Sequence, residues 1–560
     1  MTALPFFARD YARPDLAEVE RTARELATAT ASADQTALLE LVRRWNQLRS
    51  TVDTQLNIAM VRYHQNTGDP EAKAEQDFWN DAAPKLRELE VIHARALLEA
   101  PARDALTAEY GPQLLALEEC LATTFAPEIR DALAEEAKLT TRHVELTAEP
   151  TVEFRGQKYS MSGIASFFTD GNRDTRREAQ QARDRFLARH GDELDSLYAR
   201  LVELRDGMGR ALGHPGFTPL GYQLMSRTSY GPDEVAEFRA ALRREIVPIA
   251  QELKEVQRQR LGLDQVMFHD ELVWDPRGNP RPHGDPAHIL ETARGMYHEL
   301  GAELGEFMDV MLERGLIDVE LRDGKAPGGF CTHFNDLGLP FVFANFNGTD
   351  DDIVVVTHEC GHAYQAYASR HQPLIEYIFP TYEAAEIHSM GMEFLTYPWM
   401  DRFFGADADR YRRTHLERVV DLLPYIAAVD EFQHRVYAEP GLSPAQRNQL
   451  WLEMEATYLP LRNYGDHFPY LATGTIWQRQ AHIYQLPFYY IDYALAEVCA
   501  LQIHAKAGAS RERAVADYLD LCRVGGSRSF TELLEVGKLR SPFDPDCLRE
   551  VADHIRSQLF

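Results

Sequence analysis

Apolar residues recur at helical spacing along most of this chain, and that pattern restricts the fold more than any other feature. Between about residues 15 and 146 the spacing is seen at Leu38, Leu41 and Trp45, with polar residues on the opposite face. Nearly all of the chain after Thr349 has the same character. The sequence therefore predicts a mainly α-helical protein.

Two short segments depart from the helical pattern toward β structure. Residues 151–161 alternate apolar and polar side chains around Arg155-Gly156, which indicates a hairpin. Residues 340–349, PFVFANFNGT, are rich in aromatic residues and end near Asn347-Gly348, which predicts a strand followed by a turn. A small β element should therefore lie beside the helix that follows it.

The sequence indicates the domain boundaries less clearly than it indicates the helices and strands. Helical spacing resumes over residues 174–212, and the Pro- and Gly-containing residues 267–285 indicate a surface connection between two helices. We predict a helical N-terminal domain with a short hairpin over residues 1–200 and a second helical domain over residues 201–560.

Composition and charge exclude several classes of protein. The chain has 560 residues, of which 45% are apolar and 26% charged, as in an ordinary globular protein. Its 59 Lys and Arg against 87 Asp and Glu give a formal charge of -28, and the pI is near 5.2. Such a surface repels phosphate backbones, and no basic run offsets it, so nucleic acid is not expected as a partner.

The cysteine pattern and the hydropathy of the chain indicate where in the cell the protein is located. The six cysteines are scattered and form no CxxC pair, which is typical of a reducing compartment. The first residues lack a cationic segment followed by an apolar one, and no run of 18 apolar residues occurs. We expect a cytoplasmic protein without a membrane partner; its oligomeric state stays open.

The most informative motif is His358-Glu359-Cys360-Gly361-His362, an HExxH pentad. Residues 349–352, TDDD, offer a capping side chain and early acids, which predicts that the pentad lies on a helix. Two histidines four residues apart then project from one face and can both reach a Zn²⁺ ion at about 2.0–2.1 Å. Glu359, turned by about 100°, would lie beside a water that the ion activates.

A second helix, predicted over residues 381–400, offers a third ligand. Glu383, Glu386 and Glu393 fall near one face of it among apolar neighbours. Burying these acids is unfavourable unless they bind a cation or hydrogen-bond donors. One of them would complete a set of two His and one Glu and leave a fourth position open, as catalytic zinc requires. Spacing alone leaves Glu383 and Glu386 as alternatives.

Three stretches resemble the M3 family of zinc oligopeptidases, which includes oligoendopeptidase F and thimet oligopeptidase: HECGHAYQ, EAAEIHSMGMEF and QRQAHIYQLPFYYIDYALAE. The resemblance implies Glu386 as the third ligand, 24 residues after His362, with Glu393 seven residues further on. It also implies a helical ellipsoid with a deep substrate channel, zinc at the channel floor, and short unstructured peptides as substrates. The strand at residues 340–349 would line the channel, where an extended peptide could pair with it.

Hydrogen-bond donors for a developing oxyanion lie close together in the third stretch, at His482, Tyr489, Tyr490 and Tyr493. The resemblance matches His482 to a substrate-contacting histidine and Tyr493 to a catalytic tyrosine, which Glu497 could hold in place. For a second catalytic tyrosine it favours Tyr490, with Tyr484 as the rival.

These residues together predict a metalloendopeptidase with one Zn²⁺ per chain and residues 201–560 as its catalytic domain. Glu359 would act as general base toward the zinc-activated water and then deliver the proton to the leaving amine. Two alternatives remain: a zinc carboxypeptidase of the helical HExxH type, and an inactive homologue that binds peptides. The intact pentad favours an active enzyme.

Overall fold

The computed structural model describes residues 11–148, 151–161 and 163–560. Its N-terminal helices are α1 Leu16–Thr30, α2 Gln35–Gln65, α3 Pro70–Glu99, α4 Asp104–Tyr110, α5 Gln113–Ala122 and α6 Arg130–Ala148. The side chains of Asp15, Asp34 and Asp69 accept hydrogen bonds from backbone N–H groups at the starts of α1, α2 and α3. Trp45 and Leu38 of α2 are buried in a core cluster shared with α1, α3 and α5.

The predicted hairpin is confirmed by two antiparallel strands, β1 Val152–Phe154 and β2 Gln157–Tyr159. Arg155 and Gly156 form its turn with φ of 48° and 80°, a conformation that glycine adopts without strain. The middle of the chain contains α7 Arg173–Ala211, α8 Phe217–Leu224, α9 Pro232–Glu245, α10 Val247–Arg260, α11 Pro286–Leu300 and α12 Ala302–Glu313.

The helix α7 continues through residue 200, so the chain passes from the predicted first domain into the second within one helix. The division at that residue stays a prediction. The connection between α10 and α11 contains residues 267–285, as expected, but Trp274 and Asp275 within it are buried.

A second small sheet contains β3 Ile317–Asp318, β4 Phe330–Phe334 and β5 Leu339–Phe343 in the order β3-β5-β4. The strand predicted near residue 340 is β5, which pairs in parallel with β3 and antiparallel with β4. Both edges of β5 are therefore occupied, and the expectation that a peptide pairs with this strand is wrong. The edge strands of this sheet are β3 and β4.

Helices dominate the C-terminal part: α13 Asp351–Ser369, α14 Tyr382–Leu395, α15 Met400–Phe404, α16 Ala408–Ala438, α17 Pro444–Tyr458, α18 Ala481–Gln485, α19 Tyr490–Ala509, α20 Arg511–Val524, α21 Phe530–Val536 and α22 Cys547–Leu559. The fold is thus mainly α, as predicted, with β4 and β5 packed against α13.

Two local predictions differ from the structure. The helix expected over residues 381–400 ends at Leu395, and a 3₁₀ turn follows at Tyr397–Trp399, because Pro398 disfavours a helical conformation at the residue before it. At the start of α13, neither Thr349 nor Asp350 caps the helix; Asp352 instead accepts hydrogen bonds from the N–H groups of the preceding turn.

In the part of the chain that the structure describes, no helix is both long and apolar enough to cross a bilayer. Residues 1–10, which entered the expectation about the N-terminus, lie outside that part.

Candidate active site

Helices α13 and α14 cross closely at Gly361, within the HExxH pentad. A Cβ atom at this position would lie 2.6 Å from the backbone oxygen of His388 and 2.8 Å from the Cα of Ser389. A side chain larger than hydrogen would therefore force the helices apart. The missing side chain allows α13 and α14 to bring their polar groups together.

The crossing places His358, His362 and Glu386 around one point. The Glu386 Oε2 atom lies 3.4 Å from His358 Nε2 and 3.6 Å from His362 Nε2. One ligand atom from each residue lies within 4.8 Å of the others. Two ligands of a tetrahedral zinc ion at 2.0–2.1 Å are separated by roughly 3.3–3.4 Å, so this donor set fits a divalent metal.

The electrostatics of the cluster also favour a cation. Burial opposes ionisation of Glu386, yet His362 and His358 hold its pKa well below the usual range. Burial likewise opposes protonation of His358, yet Glu386 and Glu393 hold its pKa well above the usual range. The carboxylates therefore create a negative potential at the point where the two imidazoles meet.

The rival acid, Glu383, is directed elsewhere. It is buried, and its Oε2 atom has no hydrogen-bond partner in the described structure. Burial raises its pKa, and the nearby Arg227 partly offsets this effect. Of the two alternatives left by spacing, only Glu386 joins the histidines.

Glu393 connects the cluster to α16. One of its oxygens lies 2.6 Å from His358 Nδ1 and the other 2.6 Å from His415 Nε2. His415 Nδ1 in turn lies 2.6 Å from the hydroxyl of Tyr397. This chain fixes the orientation of the His358 ring, a frequent role of carboxylates behind metal-binding histidines. His415 was missed by the sequence analysis because it has no ligand spacing and lies 22 residues beyond Glu393.

Glu359 is partly exposed on the same helix and has no hydrogen-bond partner among the described residues. Its negative charge contributes to raising the pKa of Tyr493, after the larger effects of burial and Glu386. Glu359 and Tyr493 therefore lie in the same electrostatic environment, beside the ligand cluster.

The turn before α19 holds the tyrosines in place. Phe488 has a φ of 67°, which is unusual for a residue with a side chain. Its N–H donates to the Gln433 side chain at 2.9 Å, and its carbonyl accepts from Arg227 at 2.6 Å. Its ring is fully buried where a Cβ on Gly221 would lie 2.6 Å from it. Packing and hydrogen bonds therefore hold Phe488 in a backbone conformation that usually requires glycine.

Tyr489 is the tyrosine that contacts the metal cluster directly. Its hydroxyl donates to Glu386 Oε1 at 2.7 Å. Tyr493 packs against it with a ring separation of 4.9 Å. Glu497 was expected to hold Tyr493, but this is wrong: Glu497 Oε1 is buried without a partner, and Tyr493 interacts with Tyr489 instead. The sequence placed Tyr489 among the candidate donors, but no spacing signal separated it from its neighbours.

His482 lies beside the same tyrosines, with ring centroids 5.8 Å from Tyr489 and 4.9 Å from Tyr490. Burial lowers its pKa, although Glu386 partly opposes this effect. Its Nδ1 atom lies 2.7 Å from the amide nitrogen of Gln480, which leaves Nε2 to carry the proton.

The two tyrosines weighed for the second catalytic role lie in different places. Tyr490 faces Tyr425 and packs against His482 and Tyr493. Tyr484 is fully buried and stacks on His143 at 4.1 Å, within the core. The structure therefore brings Tyr490, but not Tyr484, next to the other predicted residues.

The fold and this cluster define a helical protein in which two histidines of an HExxH helix meet a glutamate of the next helix, the arrangement found in metallopeptidases. Residues 6–125 match the Peptidase M3 N-terminal domain, and residues 296–553 match Peptidase family M3. The chain belongs to peptidase family M3.

Similar proteins agree with this assignment. A crystal structure described as an oligoendopeptidase F is 43% identical, with a TM-score of 0.94 over 100% of this chain and 99% of the other. PZ peptidase A, solved with an inhibitor, is 41% identical, with a TM-score of 0.94 over 99% of both chains. Group B oligopeptidase PepB of Streptococcus agalactiae is 23% identical over 309 residues, 53% of this chain and 49% of PepB. The match thus spans about half the length of that relative.

Proposed function

We propose that this protein is a zinc-dependent endopeptidase that hydrolyses short, unstructured peptides. The observation that carries the proposal is the cluster of His358, His362 and Glu386, whose ligand atoms lie within 4.8 Å of one another beside Glu359. Membership of peptidase family M3 and likeness to oligoendopeptidases support the same reaction.

The residues that would hold one zinc ion are His358 and His362 through Nε2 and Glu386 through its carboxylate. When bound, zinc supplies Lewis acidity that polarises a substrate carbonyl and lowers the pKa of water to about 7. Glu393, with His415 behind it, would act as a positioning residue for His358.

Glu359 is the proposed general base. Its carboxylate is partly exposed and has no partner among the described residues, so it can accept a proton from the attacking water. It would then donate that proton to the leaving amine, a role typically worth a factor of about 10²–10⁴.

Tyr493 and His482 are the proposed donors to the oxyanion, and Tyr490, which packs against both, is the proposed second catalytic tyrosine. Burial raises the pKa of Tyr493 and lowers that of His482, so both groups are neutral donors at neutral pH. A neutral donor stabilises developing negative charge without carrying a charge of its own that must be desolvated. Tyr489, which donates to Glu386, would position the ligand carboxylate.

The decisive experiment replaces Glu359 by Gln and measures zinc content and peptide cleavage together. We expect zinc to be retained and kcat to fall about a hundredfold or more, because only the proton acceptor is lost. Glu313→Gln, an exposed change on α12, is the matched control. Unchanged turnover in Glu359→Gln would exclude Glu359 from the mechanism.

Peptides with free and amidated C-termini separate this proposal from the carboxypeptidase alternative. An endopeptidase cleaves both forms at internal bonds, and mass spectrometry of the products identifies those bonds. Strict dependence on the free carboxylate would overturn the endopeptidase assignment. We also propose a cytoplasmic location, which is consistent with the six free cysteines.

A further inference from the structure

A cavity of about 390 Å³ lies among α2, α3, α5 and the residues that precede α14. Its aromatic wall includes Phe379 and Tyr382. The Phe379 ring lies 6.2 Å from the His362 ring, and the Tyr382 ring lies 5.0 Å from the Tyr489 ring. The cavity therefore adjoins the candidate active site, although it contributes no metal ligand.

Most charged groups that line the cavity form ion pairs, but one glutamate does not. Arg49 forms an ion pair with Glu376, and Arg87 lies 3.4 Å from Glu90. Glu118, on α5, is only 3% exposed and has neither an ion-pair nor a hydrogen-bond partner among the described residues. With two arginines and three glutamates, the lining carries one more acid than base.

Other buried polar atoms around the cavity are unpartnered as well. Glu376 Oε2 and Gln223 Oε1 are buried acceptors without a hydrogen bond, and Arg49 Nε is a buried donor without one. With two such acceptors and one donor, acceptors outnumber donors. Buried groups of this kind are normally satisfied, so the lining has the composition of a site for a ligand that donates hydrogen bonds.

We propose that this cavity is a subsite for a cationic group of the peptide substrate, either a Lys or Arg side chain or the N-terminal ammonium. The proposal rests on the peptidase function proposed above and specifies its substrate class. The ligand's cation would pair with Glu118, and the apolar stem of a Lys or Arg side chain would pack on Phe379 and Tyr382. Such pairing removes the unfavourable free energy of an isolated buried carboxylate.

The protonation state of Glu118 is consistent with this role. Burial, with a further contribution from Glu376, raises the pKa of Glu118 to about 8. Arg49 and Arg87 partly offset this rise, but they pair with Glu376 and Glu90 rather than with Glu118. Above pH 8 the ionised form would dominate and bind a cation more strongly, while a lysine side chain stays charged up to about pH 10.

The test compares matched peptides that carry Lys, norleucine or Glu at each position in turn, each with a free or an acetylated N-terminus. For the wild type we expect a higher kcat/KM either for Lys than for norleucine or for the free than for the acetylated N-terminus. Whichever of these two comparisons shows the difference identifies the cation that is bound. In Glu118→Gln the kcat/KM ratio of the arm that shows the preference, either Lys to norleucine or free to acetylated N-terminus, should fall about tenfold, mainly through KM, as for loss of a hydrogen bond to a charged group. Glu119→Gln, the exposed neighbour, should leave the ratio unchanged.

Two further measurements test the subsite independently of the rate of hydrolysis. If the bound cation is a Lys side chain, the wild-type ratio should rise between pH 7 and pH 9, whereas an N-terminal ammonium loses its proton at about pH 8 and gives no such rise. The pH dependence of the active site cancels in the ratio, because both peptides meet the same active site. Binding of a fluorescent Lys peptide to zinc-loaded Glu359→Gln, measured by anisotropy, tests the subsite without hydrolysis.

Three results would overturn the subsite. These are a ratio that Glu118→Gln does not alter in either arm, equal binding in both the Lys–norleucine pair and the free–acetylated pair, and a preference for the Glu peptide, which would assign the cavity to anions through its arginines. Absence of cleavage of any peptide, with selective binding retained, would instead overturn the peptidase function.

Discussion

At the scale of single residues, side-chain direction decides which acids bind metal. Glu383 and Glu386 are one turn apart on α14, yet only Glu386 faces the two imidazoles, because the pentad helix crosses α14 at Gly361. Glu383 lies beside Arg227 instead. The two residues therefore offer a matched pair of substitutions.

We predict that Glu386→Gln depletes the zinc and that Glu383→Gln does not. Loss of a ligand should weaken zinc affinity by at least about a hundredfold, beyond the roughly 10–100-fold effect of a residue behind a ligand. Elemental analysis of the purified variants, with circular dichroism to confirm folding, measures both effects. Equal zinc content in the two variants would contradict the assignment of Glu386.

At the scale of secondary-structure elements, the site depends on the close crossing of α13 and α14. Gly361 permits this crossing, and α19 then packs along α14 and presents Tyr489 and Tyr493 to the same point. The positions of all these groups therefore depend on the separation of two helices.

Gly361→Ala should destabilise the protein by about 1–3 kcal/mol and weaken zinc binding, because the new methyl group would lie 2.6 Å from the His388 carbonyl oxygen. Gly207→Ala on α7 is the control, since an added Cβ there meets no atom within 4 Å. In an exposed helix interior that change should be neutral or stabilising by up to about 1 kcal/mol. Denaturant unfolding checks both values, and an equally stable Gly361→Ala would show that the helices can separate without penalty.

At the scale of the whole molecule, one core joins distant parts of the chain. A single cluster of buried apolar residues extends from Ile58 to Ile555, and α7 runs without interruption through residue 200. The metal site draws on α13 and α14, and the cavity beside it on α2, α3 and α5.

Removing zinc should therefore lower the melting temperature of the C-terminal core as a unit. A ligand at 100 times its Kd stabilises the folded state by about 2.7 kcal/mol, and a chelator removes that contribution. Scanning calorimetry with and without chelator measures the shift, and His358→Ala should show little or none. A wild-type melting temperature that chelator leaves unchanged would show that the folded protein does not bind metal tightly.

Local patterns in the sequence determined the elements and the chemistry of this protein. Helical spacing indicates helices such as α7 within a residue or two, and the HExxH pentad predicts two ligands and a base, because each pattern lies within the length of one helix. Spacing left Glu383 and Glu386 open, and the tertiary structure places Glu386 beside the histidines, in agreement with the family resemblance. Only the tertiary structure decided that β5 is a central strand and that Tyr489 and His415 join the site. Those outcomes depend on how separate elements cross and pack, and contacts between residues far apart in the chain have no fixed spacing in the sequence.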